Sequence, residues 1–153
     1  MEKEQQKLLP RKKRIALVAH DHKKLDLVDW AYYNRDELAK HKLIATGTTG
    51  TILEDKLGIE VNKLFSGPLG GDQQLGALIA EGHIDMIIFF WDPMETQPHD
   101  SDVKALIRLA VAWNIIIACD RTTADFILTS SLMNDDYHAQ IPDYSHYLKR
   151  KIS

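Results

Sequence analysis

Asp72 closes the segment Ser66-Gly67-Pro68-Leu69-Gly70-Gly71-Asp72, where two glycines set a carboxylate at the opening of an apolar-periodic stretch, Gln73–Glu81. A carboxylate held there can remove a proton from a carbon next to a carbonyl, and helix N-terminal amides favour its ionised form. The same spacing suits a helix N-cap that bonds its own first-turn amides. In Pro98-His99-Asp100-Ser101-Asp102, a neutral His99 can donate to one oxygen and relay a proton to its neighbour. Asp100 or Ser101 can cap the helix that follows, with Asp102 in its first turn, complementing the dipole.

Other clusters suit an anion. Thr46-Gly47-Thr48-Thr49-Gly50 stands between a strand-like and a helix-like segment, so amides and hydroxyls at a helix start can face a phosphate. A glycine turn with a threonine cap fits the same residues. No Gly-Lys-Ser/Thr follows, which excludes a Walker A loop. Ser66-Gly67 can supply a second set of donors, or merely the turn that Pro68 requires. His20-Asp21-His22 with Lys24 forms a further polar loop, and Lys24 can reach a phosphate. His20 with His22 or His99 is the best metal set available, but no Cys or Glu completes it, so the expectation is no metal and no cofactor. Cys119 ends an Ile-rich strand and reads as a small buried hydrophobe. Trp30, Trp91 and Trp113 read as packing residues.

These clusters need positioning elements. Arg14–Ala19, Lys42–Thr46, Asn62–Phe65, Ile84–Trp91 and Asn114–Ala118 are short and apolar on both faces, as strands of a buried parallel sheet are. Val103, Leu106, Ile107, Ala110 and Val111 recur at the spacing of one helix face. Leu75, Leu78 and Ile79 do so over a shorter stretch, and Leu25, Val28 and Tyr32 make a weaker stripe. The alternation predicts an α/β domain with right-handed crossovers. A polar cluster follows every strand, including Asp92 after the fourth and Asp120-Arg121-Thr122-Thr123 after the fifth. Five loops are thus expected to converge on one crevice beyond the strands' carboxyl ends.

The chain has 153 residues, 44% hydrophobic and 27% charged, with a net charge of −3. That length suits one domain, expected over residues 14–153, and the charged first thirteen residues (1–13) read as a flexible arm. The basic runs Pro10-Arg11-Lys12-Lys13-Arg14 and Lys149-Arg150-Lys151 read as solvated termini, so neither nucleic acid nor an anionic membrane is expected as partner. One cysteine allows no internal disulfide, no signal peptide is evident, and Met86–Trp91 is too short to span a bilayer. A soluble, cytoplasmic protein is expected.

Taken together, IALVAHD (Ile15–Asp21), ATGTTG (Ala45–Gly50), SGPLGGDQQLGA (Ser66–Ala77), FFWDP (Phe89–Pro93), QPHDSD (Gln97–Asp102) and TADF (Thr123–Phe126) resemble the methylglyoxal synthases. The likeness runs from about Arg14 to Tyr144. It implies a three-layer α/β/α sandwich on a five-stranded parallel sheet, a homohexamer without metal, and elimination of phosphate from dihydroxyacetone phosphate. By that likeness Asp72 is the catalytic base, His99 and Asp102 complete the catalytic set, and inorganic phosphate is product and inhibitor. His20, Lys24, Thr46, Gly47, Thr48, Thr49, Ser66, Gly67 and His99 then bind the substrate, with Asp21 and Asp92 as supporting carboxylates. The family's arginine near the C-terminus aligns best with Lys151, beside Arg150, which leaves that role open. Two rival functions share the pattern. The fold also resembles the regulatory domain of carbamoyl phosphate synthetase, a phosphate-ligand sensor that would not need Asp72, His99 and Asp102 together. An isomerase would use the same base and histidine but release no phosphate.

Overall fold

The computed structural model describes residues 5–94 and 100–149, with the backbone alone for residues 100–103. His99, Arg150 and Lys151 lie outside the described residues. The strands are β1 (Gln5–Leu9), β2 (Arg14–Ala19), β3 (Lys42–Thr46), β4 (Val61–Leu64), β5 (Met86–Phe90), β6 (Ile116–Ala118) and β7 (Tyr137–Ile141). The helices are α1 (Lys24–Tyr33), α2 (Arg35–Leu38), α3 (Gly47–Leu57), α4 (Gly71–Ala80), α5 (Asp100–Ala112), α6 (Arg121–Leu128) and α7 (Ser145–Leu148). Short 3-10 turns cover Asp21–Lys23 and Gly67–Leu69. No helix among the described residues is long and apolar enough to cross a membrane.

Five strands form one parallel sheet in the order β4-β3-β2-β5-β6. The composition of each strand follows its place. Central β5 (MIIFF) is buried at every position, whereas edge strand β4 exposes Asn62 and Lys63. A parallel sheet covered on both faces requires that central strands be apolar on both. One face packs Leu27 and Trp30 of α1, Leu53 and Leu57 of α3 and Leu128 of α6; the other packs Leu75 and Ile79 of α4 with Leu106 and Ala110 of α5. This is the three-layer sandwich expected. Trp30 is wholly buried and its indole donates to Asp125 at 2.8 Å, so its one polar atom is satisfied.

Two expectations need correction. The segment assigned to an arm is ordered from Gln5 onward: β1 pairs antiparallel with β7, Leu9 is buried, and Lys13 is buried with its ammonium donating to the Pro10 and Asp135 carbonyls at 2.7 Å each. Arg14, the last of that basic run, grips buried Asp85 through Nε and a terminal nitrogen. Two of the run's cations are therefore structural. The stripe on α1 also differs, since Leu25 is 76% and Tyr32 55% exposed and the core face is Leu27, Val28, Trp30 and Ala31. Three apolar residues over two turns were too few to fix the face.

Candidate active site

Strand order puts the reversal of direction at β2 and β5, where a crevice opens beyond the carboxyl ends. Its lining includes His20, Asp21, Lys24, Thr46, Thr48, Thr49, Ser66, Gly67 and Asp72, around a cavity of about 70 Å³. Val18, Ala19, Pro68 and Phe89 complete the wall. Nine of the residues selected by type thus meet in one place.

His20 is buried at the end of β2, and its Nδ1 accepts the Asp92 backbone N–H at 2.9 Å. With Nδ1 an acceptor, the proton of the neutral ring belongs on Nε2, which makes His20 a donor. Phe89 and Trp91 stand edge-on to the imidazole, with centroids 5.2 and 6.1 Å away, and fix its plane. Asp92 serves this arrangement through its main chain. Its buried carboxylate accepts the Met94 amide at 3.0 Å, just behind the crevice wall. Asp21 and Lys24 pair at 2.9 Å across the mouth.

Helix α3 begins at Gly47, directly after β3. Thr46 holds the N-cap position in an extended conformation, and its side chain makes no capping bond. The first amides of α3 have no intrahelical partner, so they and the dipole's positive end remain for an anion at Thr48 and Thr49. The threonine-cap alternative fails here. Gly47 itself does not line the crevice; it backs onto Ser66.

Helix α4 opens two residues earlier than the spacing predicts, with Gly70 at the N-cap in the left-handed region, φ 107°. Asp72 is consequently not a cap. It sits in the first turn, 5% exposed, on the crevice wall. The turn is possible because residue 71 is glycine: a Cβ there would fall on the Phe65 carbonyl oxygen. The Thr46 methyl would meet that same Cβ, so the two phosphate-type loops and the Asp72 turn are packed as one unit.

The five loops do not all converge. Asp120 and Arg121, after edge strand β6, line a neighbouring cleft with Lys23, Asp26, Trp91 and Cys119. Strand order, which spacing along the chain does not reveal, separates them from the crevice. Cys119 is partly exposed there rather than fully buried, and its partial desolvation, with the Asp120 charge beside it, pushes the thiol above its ordinary value, away from a nucleophile's range. Asp102 belongs to the first turn of α5. Among the described residues no three His, Cys, Asp or Glu side chains gather as a metal site. Sequence reasoning missed Phe89, whose signal was its place one residue from the carboxyl end of β5.

Residues 26–119 match the family described as MGS-like domain. The methylglyoxal synthase of Pectobacterium atrosepticum is 53% identical over 144 residues, covering 94% of this chain and 95% of that protein. The methylglyoxal synthase of Saccharophagus degradans is 54% identical over 143 residues, covering 94% and 93%. A crystal structure of methylglyoxal synthase from Elizabethkingia anophelis NUHP1 superposes with a TM-score of 0.92 at 62% identity, covering 97% of this chain and 98% of that one. Shared sequence across nearly the whole length, on the same five-stranded fold, means that the chain belongs to the methylglyoxal synthase family.

Proposed function

We propose that this protein is a carbon–oxygen lyase that converts dihydroxyacetone phosphate to methylglyoxal and inorganic phosphate. The observation that carries the reading is a buried carboxylate, Asp72, on the wall of a crevice that also takes in the uncapped start of α3 and Ser66, whose side chain likewise makes no capping bond. The phosphate sits against the α3 first turn and Ser66-Gly67, with Lys24 at its edge. Asp72 takes a proton from the hydroxymethyl carbon beside the carbonyl. The electron pair moves into the C–C bond, and charge collects on the carbonyl oxygen, which the His20 Nε2–H stabilises. His99 and Asp102 move the proton between the two oxygens. The enediolate then returns its electrons, the bond between carbon and the bridging oxygen breaks, and phosphate leaves with that pair and takes up the proton held by Asp72, which restores the base. The remaining enol ketonises to methylglyoxal. A neutral histidine beside a carboxylate base is also how triosephosphate isomerase works, as the general pattern for this chemistry illustrates.

The same reading gives a cytoplasmic, homohexameric enzyme that needs no metal, and activity is expected to survive exhaustive chelation. The deciding experiment incubates purified protein with dihydroxyacetone phosphate and follows methylglyoxal and free phosphate. Equimolar release of both is expected. Glyceraldehyde 3-phosphate without phosphate would make it an isomerase, and binding without turnover would make it a sensor.

A further inference from the structure

Helix α3 meets edge strand β4 and the turn that follows it through three contacts spaced along one helix face. Nearest the crevice, Gly47 lies against Ser66, where a Cβ would come within 3.1 Å of the Ser66 nitrogen and 3.3 Å of its Cα. One turn further, Gly50 is crossed by the Lys63 stem, with Cγ 2.8 Å from where a Cβ would stand. At the far end, Glu54 accepts the Val61 amide at 3.2 Å with one oxygen and pairs with the Lys63 ammonium through the other. Positions 47, 50 and 54 are the i, i+3, i+7 stripe of a helix. Residues 66, 63 and 61 follow in the reverse order along β4 and the turn after it.

Covalent continuity with β3 fixes where α3 starts, and the register Thr46↔Leu64 fixes β4 beside β3. Buried Leu53 and Leu57 seat α3 on the sheet beside α1; its contacts with β4 and the turn after it act on the lean of the axis over the sheet edge, and with it on the aim of the first-turn amides. We propose that the Glu54–Lys63 clamp, about 10 Å along the axis from Gly47, sets the tilt of α3 against β4 and so holds the two anion-donating loops at their working separation. Glu54 and Lys63 are positioning residues for anion affinity, reaching the ligand only through α3 and Ser66. The inference rests on reading the crevice as a phosphate cradle. The Lys63 side chain covers Gly50 with its stem while its charge works at Glu54, so stem and charge are separable by substitution.

The clamp is about one-third exposed on each side, 37% for Lys63 and 35% for Glu54, which limits its influence. The test compares the full-length wild type with Lys63→Met, Lys63→Arg, Glu54→Gln, the double variant Glu54→Gln/Lys63→Met, and Thr48→Ala. Inorganic phosphate affinity is read by calorimetry, beside KM, kcat and unfolding temperature. Lys63→Met and Glu54→Gln are each expected to raise KM and the phosphate Kd together by about two- to fivefold, the coupling a part-exposed pair can carry, with kcat held. Lys63→Arg restores both constants, and the double variant is no worse than the weaker single. A lower unfolding temperature with unchanged KM and Kd makes the clamp a stability feature only and overturns the proposal, as do additive effects in the double variant. If Thr48→Ala leaves phosphate affinity untouched, the cradle itself is lost and the clamp's role with it. A weakened Thr48→Ala beside a normal Lys63→Met removes the clamp alone.

Discussion

Two turns at the same end of the sheet carry a strand into a helix and finish differently. After β6, Asp120 caps α6: its carboxylate accepts the Thr123 amide at 2.7 Å, and that bond holds its carboxyl below the usual range. After β3, Thr46 occupies the equivalent position of α3 without a capping bond. Both helices present the same unpaired amides by geometry. One set is consumed internally, and the other faces a cavity. The third turn, into α4, resembles the second, because Gly70 has no side chain to cap with and Asp72 is placed one step inside the helix. Capping and anion binding use the same donors, so a turn that serves one is withdrawn from the other.

The largest test of this contrast exchanges the same atoms at both aspartates. Asp72→Asn is expected to lower turnover by about 10²–10⁴-fold, with phosphate affinity and unfolding temperature retained. Asp120→Asn keeps all three, since asparagine caps as well as aspartate. Phosphate release assayed on the pair decides it, and a well-folded Asp72→Asn with near-normal turnover ends the assignment of the base. Next in size, Thr46→Asn gives α3 the cap that α6 has, without adding charge. Phosphate affinity is expected to fall roughly tenfold or more as the amides are occupied, and calorimetry showing undiminished binding would mean that they never held the anion. Asp120→Ala, by contrast, is expected to lower the unfolding temperature by roughly 2–4 °C with no change in phosphate affinity. The smallest effect is in acid. A carboxyl depressed in the folded state adds stability above its unfolded value, about 3.9, and loses it as pH falls through the folded one. The gap in unfolding temperature between wild type and Asp120→Ala should therefore be constant near neutrality and close below about pH 3.9.

The residue types of the crevice were legible because each carries its chemistry in its side chain: a carboxylate at Asp72, an imidazole at His20, hydroxyls at Thr46–Thr49. The strands β2 and β3 were legible to the residue, since two-sided burial leaves unbroken apolar runs. Whether a threonine hydroxyl turns toward its own helix leaves no trace in spelling, and neither does the acceptor state of His20 Nδ1, which depends on an amide 72 positions away. β1 was illegible for a related reason: QQKLL is mostly polar, and only its pairing with distant β7 makes it a strand. The Asp120 cluster was expected at the crevice because it follows a strand, and only the order of strands shows that it lines another cleft.

The pairing of β1 with β7 also fixes an order of events. Gln5 lies opposite Ile141, so this ribbon cannot exist until synthesis has passed Ile141. The five strands of the main sheet are complete at Ala118, and they use shorter crossovers, whose closure costs less entropy. During synthesis the crevice end of the sheet can therefore assemble while the opposite end still lacks the ribbon that carries buried Leu9 and Ala139. β1 precedes every strand of the main sheet in the chain and yet can find its place only after all of them, so the crevice can be built while the opposite end of the sheet is still uncovered.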